Sequence, residues 1–169
     1  MPSFEQNKTD HPSRNKPRIV IKVGSSLLVN EKNLTPSFAF MHGLLNDISK
    51  LQDQDYEVAL ASSGSVALGL NTIGCTVENA SVQDKQAAAA CGQPILMHAY
   101  KQIALEYGFD IAQILVTLGD LEDRRRFLNI KNTVNKLLKQ GIMPVVNEND
   151  TVTTEEIRVG DNDRLGAKI

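Results

Sequence analysis

The residues best suited to chemistry gather towards the end of the chain. Asn147-Glu148-Asn149-Asp150-Thr151 is followed by Gly160-Asp161-Asn162-Asp163, with Glu155 and Glu156 between them. Carboxylates crowded in this way repel one another. Something cationic has to offset them: a lysine, an amine-bearing substrate or Mg²⁺. A solvated acidic loop is the ordinary alternative. The run Ile142-Met143-Pro144-Val145-Val146 just before it reads as a buried strand. Its carboxyl end would open onto the acids, and open α/β sheets bind ligands at that end.

A second group, upstream and of opposite sign, argues for a site. Arg18-Ile19-Val20-Ile21-Lys22-Val23 reads as a strand running into Gly24-Ser25-Ser26. Glycine admits close approach of the backbone, and the two serines offer amides and hydroxyls. Lys22 lies near the end of an otherwise apolar strand, where it could point at whatever the turn holds. The spacing fits neither the GxxxxGK[ST] phosphate loop nor the GxGxxG dinucleotide fingerprint. A third group follows a strand at residues 56–61, where Ser62-Ser63-Gly64-Ser65 precedes a helix from about Val66. The free amides and the dipole of such a helix start favour an anion.

The intervening segments must position these groups. Thr35-Pro36 predicts a helix start, with threonine as N-cap and proline first in the helix. Met41, Leu44, Leu45, Ile48 and Leu51 give that helix its buried face. Residues 83–108 read as helical with a break at Gly92-Gln93-Pro94, where Pro94 restarts the helix. Ala87 to Ala90 suit close packing, and Ile95, Leu96, Ala99 and Ile103 form the following apolar stripe. A third strand is expected at 111–116, then one helix from Asp120 to about Lys139. Leu121, Phe127, Ile130, Val134, Leu137 and Leu138 face inward on it, and Gly141 caps its end. Arg124-Arg125-Arg126, behind Glu122-Asp123, reads as a solvated, locally paired face. Residues 151–159 alternate enough for a short hairpin, and Asp161 or Asn162 would cap a helix starting at Arg164. No stop signal precedes Ile169, so the chain is expected to end inside that helix, as a truncated protein would.

Four strands alternating with helices imply right-handed crossovers and a mainly parallel sheet. The three groups then share one sheet edge: one cationic, one rich in hydroxyls and amides, one anionic. That set suits a zwitterionic or phosphate-bearing ligand.

The chain has 169 residues, 41% of them apolar, enough for one domain with a core. A net charge of −2 and the absence of tryptophan argue against a nucleic-acid surface. No apolar run reaches the roughly 18 residues of a membrane span. Without an export signal a soluble cytoplasmic protein is expected. Cys75 and Cys91 are expected to be buried, reduced thiols. Residues 1–16 read as a disordered polar tail and 17–169 as the folded part.

Lys22-Val-Gly-Ser-Ser26, Ser62-Ser-Gly-Ser65, Asn147-Glu-Asn-Asp-Thr151 and Val159-Gly-Asp-Asn-Asp163, in this order, resemble the glutamate 5-kinase family of the amino acid kinase superfamily. Gln113-Ile-Leu-Val-Thr117, Glu122-Asp-Arg124 and Arg126-Phe-Leu-Asn129 are similar to it as well. The resemblance runs from about residue 18 to 169. It implies a three-layer αβα sandwich, of which this chain would hold the N-terminal, amino-acid-binding part, and the use of ATP and Mg²⁺ to phosphorylate the side chain of L-glutamate. Lys22 then corresponds to a catalytic lysine, Gly24, Ser25 and Ser26 to the phosphate-lining turn, and Ser63, Gly64, Asp150 and Asn162 to glutamate-binding positions. Asp163 corresponds to the aspartate that orients catalytic lysines. No metal-ligating residue is assigned. Proline is the implied feedback inhibitor, and homo-oligomers are common in the family. The family's kinase domain continues past this point into most of the nucleotide site, so the isolated chain is expected to be inactive or nearly so. The alternatives are a non-catalytic glutamate- or proline-binding fragment, one half of a split kinase, or a poorly folding remnant.

Overall fold

The computed structural model describes residues 16–30 and 32–152. The tail expected over 1–16, apart from Lys16, lies outside the described residues. So do most of the expected hairpin, Asn162, Asp163 and the helix expected from Arg164.

The chain begins with β1 (Arg18–Val23) and a single turn of helix, α1 (Ser25–Leu28). A small antiparallel pair follows, β2 (Val29–Asn30) with β3 (Thr35–Pro36), and then α2 (Phe38–Asp53). Next come β4 (Glu57–Ser62), α3 (Ser65–Ile73) and the long α4 (Val82–Glu106). The described part closes with β5 (Asp110–Val116), α5 (Leu118–Glu122), α6 (Arg124–Lys139) and β6 (Ile142–Glu148).

The main sheet is parallel, with order β1-β4-β6-β5. Between β4 and β5 the chain skips one position, and β6 returns to fill it. Right-handed crossovers in opposite directions put their helices on opposite faces. The cores follow that rule. Met41, Leu45 and Ile48 of α2 and Leu96, Tyr100 and Ile103 of α4 pack with Val58, Leu60, Ile111, Met143 and Val145 on one face. On the other, Leu121, Phe127 and Ile130 of α5 and α6 pack with Ile114, Val116 and Val146. This is the expected αβα sandwich.

Three expected helix boundaries need correction. Thr35-Pro36 does not start a helix. Asn30 pairs with Thr35, whose hydroxyl donates to Asn33 Oδ1 at 2.8 Å, so the residues are drawn into a hairpin and α2 starts after Ser37. The helix over 83–108 is not broken: α4 runs straight through Pro94. Pro94 and Ala90, the residue whose carbonyl loses its amide partner, are both exposed, so water can satisfy that carbonyl. The single helix expected from Asp120 is two. Asp123 adopts an extended conformation and its carboxylate caps α6 by accepting from Arg126 N at 2.8 Å, while Thr117 and Asp120 form a capping box on α5. The arginine run is exposed and locally paired as expected, with Arg126 3.0 Å from Asp120. Cys75 and Cys91 are free but half-buried rather than buried.

The small residues of α3 and α4 let the two helices touch backbone to backbone. A Cβ added at Gly92 would lie 1.8 Å from Ser65 O, and one at Gly69 would lie 1.8 Å from Ala88 O. This contact sets where α3 begins. Gly92→Ala is expected to destabilise the fold by at least about 2 kcal/mol, as overpacking does. Urea unfolding of the variant would measure it.

Candidate functional site

All four strands of the main sheet are parallel, so their carboxyl ends lie at one edge. Lys22 aligns with Ala61, and Ala61 with Val146. The groups following β1, β4 and β6 are therefore neighbours, with that of β4 in the middle.

Lys22 is exposed near the end of β1, on the face shared by Ala61 and Val146. Ser25 and Ser26 are exposed just beyond. Gly24 has φ −78°, which any residue can adopt, and a Cβ there would meet nothing within 4 Å. What glycine contributes at this position is open space beside the turn. Gly64 differs. Its φ of +100° is left-handed, and a Cβ would lie 3.1 Å from Val29 Cγ2 and 3.8 Å from Ser25 Cα. The Gly64 turn thus rests against the Gly24-Ser25-Ser26 segment. Ser63, beside it, is half-buried. Beneath the turn, Ser62 Oγ lies 3.0 Å from the hydroxyl of fully buried Tyr100, and burial pushes that phenol well above its ordinary pKa.

The acidic group is less open than its composition implies. β6 extends two residues further than expected, so Asn147 and Glu148 belong to the strand, and both are buried. Asn149 N donates to Val116 O at 2.9 Å, which turns the chain back. Asp150 is then buried against the start of α3, where Ser65 Oγ donates to its Oδ2 at 3.2 Å. Among the described residues no lysine, arginine or histidine pairs with Asp150. Burial raises its pKa above the ordinary carboxylate value, and the Ser65 hydrogen bond opposes only part of that.

Behind Asp150 lies a buried polar cluster without an assigned role in the sequence reading. Asn147 Nδ2 is 3.0 Å from Gln93 Oε1 and 3.5 Å from Ser65 Oγ, and Asn147 Oδ1 accepts from Glu148 N at 2.9 Å. Gln93 Nε2 is buried without a hydrogen-bond partner among the described residues. A helical-spacing signal was available for Gln93. It falls on the same α4 face as Ala89, Leu96 and Tyr100, all buried, and a polar residue inside an apolar stripe needs a reason. Ser65 and Asn147 carry no comparable signal, because only long-range pairing brings them together.

The structure therefore brings Lys22, Gly24, Ser25, Ser26, Ser63, Gly64 and Asp150 to one edge. Asn162 and Asp163 are outside the described residues. The edge offers a cation, a turn of hydroxyls and amides, and a buried carboxylate without a described counter-ion.

Residues 17–169 match the amino acid kinase family. Among curated relatives, a glutamate 5-kinase of Rhodospirillum rubrum is 44% identical over 89% of this chain and 40% of its own length. One of Caulobacter vibrioides is 47% identical over 90% of this chain and 40% of its own length. Glutamate 5-kinase 2 of Bacillus subtilis is 42% identical over 94% of this chain and 42% of its own. The chain thus spans about two fifths of the length of these relatives.

The pKa of Asp150 carries a sign that can be checked. A carboxyl whose pKa is raised on folding stabilises the folded state while protonated, and that contribution is lost as pH rises through the folded pKa. Above the ordinary carboxylate range, therefore, an aspartic acid here costs the ligand-free fold stability that a neutral amide would not. Asp150→Asn is expected to melt at or above the wild-type temperature at pH 7. The difference should shrink as pH falls towards the ordinary carboxylate range. Thermal unfolding across pH would measure it; a destabilised Asp150→Asn at pH 7 would contradict this account.

Proposed function

The chain belongs to the amino acid kinase family, and we propose that it forms the amino-acid-binding part of a glutamate 5-kinase. The reaction is transfer of the γ-phosphoryl group of ATP to the side-chain carboxylate of L-glutamate, giving glutamyl 5-phosphate and ADP, the first step of proline biosynthesis. The observation that carries this reading is Asp150, a buried carboxylate with one hydroxyl donor and no described counter-ion. A substrate ammonium is the complement of such a group, and it would favour the ionised form that burial opposes.

In this reading Asp150 binds the α-ammonium of glutamate. Ser63 and Gly64, at the head of α3, receive a carboxylate, which a helix start favours. Asn162 contributes a further substrate contact. Lys22 faces the transferring group and stabilises its spreading negative charge, and Gly24, Ser25 and Ser26 line the same group. Asp163 keeps Lys22 extended and charged. Phosphoryl transfer asks mainly for this kind of positioning and charge compensation. ATP supplies the phosphoryl group, and Mg²⁺ accompanies its phosphates. The open space beside Gly24 suits that cargo. The reading makes the protein cytoplasmic. Among the described residues no helix is long and apolar enough to cross a membrane. Proline, also an ammonium carboxylate, would compete at Asp150.

Because the relatives are more than twice as long as the matched part, a second reading stands beside the first: this chain alone binds glutamate or proline without turning it over.

Calorimetric titration of the chain with L-glutamate tests both. Binding is expected, and Asp150→Ala should weaken it at least about 30-fold, as loss of one partner of a buried charge pair does. Lys22→Ala should leave that binding within about threefold, because Lys22 is assigned to charge that develops later. No detectable binding of glutamate or proline would contradict the proposal.

A further inference from the structure

We propose that Gln93 is a positioning residue for amine recognition, acting through Asn147 and Ser65 to fix the hydrogen-bond direction at Asp150. This rests on the reading of Asp150 as the amine-binding group.

The polarity of the cluster follows from its outer contacts. Glu148 N is a donor and lies 2.9 Å from one end of the Asn147 side chain, so that end is the carbonyl oxygen Oδ1. The other end is the NH₂ group. It faces Gln93 3.0 Å away, which makes the facing atom of Gln93 its acceptor Oε1. The same NH₂ group lies 3.5 Å from Ser65 Oγ. A hydroxyl approached by a donor turns its own proton elsewhere, and the acceptor within reach is Asp150 Oδ2 at 3.2 Å. Each link is set by the one before it. Gln93 stands at the far end, and the carboxylate at the near end.

This arrangement leaves Gln93 Nε2 buried without an acceptor among the described residues. Such a donor weakens a fold. A methionine of similar length would fit the apolar stripe of α4 without that defect. The apolar stripe therefore does not account for a glutamine at this position, whereas acceptance from the buried Asn147 amide does. Without the Oε1 acceptor the Asn147 side chain is held by Glu148 N alone, its NH₂ group can shift away from Ser65 Oγ, and the Ser65 proton is no longer committed to Asp150. The carboxylate then loses the hydrogen bond that orients it towards an ammonium.

The test compares L-glutamate with glutarate, the same diacid without the α-amine, on the full 169-residue chain. The wild type is expected to prefer glutamate by at least about 30-fold. Gln93→Met should reduce that preference at least about fivefold, a coupling typical of residues in one network. Its affinity for glutarate should change less than about twofold. A merely structural role would weaken both ligands together, and that result, or an unchanged preference, overturns the inference. A wild type without preference overturns the reading of Asp150 and this inference with it. Gln93→Leu is the second variant, useful if Gln93→Met does not fold. It also removes the acceptor for Asn147, so the preference for glutamate should fall at least about fivefold, and an unchanged preference would overturn the inference.

Discussion

A carboxylate held out of water at the start of a helix imposes the main constraint on this fold. Asp150 is buried against the start of α3, with Ser65 as its hydrogen-bond donor. Desolvation disfavours its charge, and the helix dipole together with one hydroxyl offsets only part of that. The surroundings must hold it there all the same. β6 delivers it from the centre of the sheet, and the Asn149 amide bonded to Val116 O turns the chain towards α3. Gly92 admits the backbone of Ser65, so the start of α3 can sit where the carboxylate arrives. Such a carboxylate favours a cationic partner, the role proposed for the substrate ammonium.

The topology explains why the constraint can be met. β4 lies between β1 and β6, so its turn borders both the Lys22 strand and the Asp150 turn. Gly64, in a left-handed conformation, lets the middle turn lie against Ser25 and Val29. The buried side of the site is polar: Ser62 with Tyr100, and Asn147 with Gln93 and Ser65. Both Tyr100 and Gln93 belong to α4, so one helix supports the edge from below at two points, the end of β4 and the end of β6. Rigid support of this kind is what a binding group needs if a small misplacement is not to weaken it.

Much of this was legible in the chain itself. The four main strands, their parallel arrangement and the shared edge follow from apolar runs alternating with helical periods. Met41, Leu45 and Ile48 were readable as core from spacing alone. The acid-rich turn that holds Asp150 and the Ser63-Gly64 turn were readable as local groups, whereas Asp150 stood out among the acids only through the family resemblance. The failures are ones of helix boundaries. Thr35-Pro36 and Gly92-Gln93-Pro94 carry strong local signals that their surroundings override, while at Asp123 a local cap splits one helical period in two. Thr35 is claimed by Asn30, Gly92 by Ser65, and Pro94 is tolerated because it faces water. Strand order was not legible either, since nothing local says that β6 inserts between β4 and β5. The Gln93–Asn147–Ser65 cluster depends on that order, so it stayed hidden as well.

The central claim is that Asp150 waits for an ammonium. Site-specific NMR titration of its side-chain carboxyl carbon, without ligand and with saturating L-glutamate, tests it most directly. The carboxyl is expected to titrate above the ordinary aspartate range in the free chain and to move down by at least about one pH unit when glutamate binds, as pairing with a cation requires. A titration that glutamate leaves in place would contradict it.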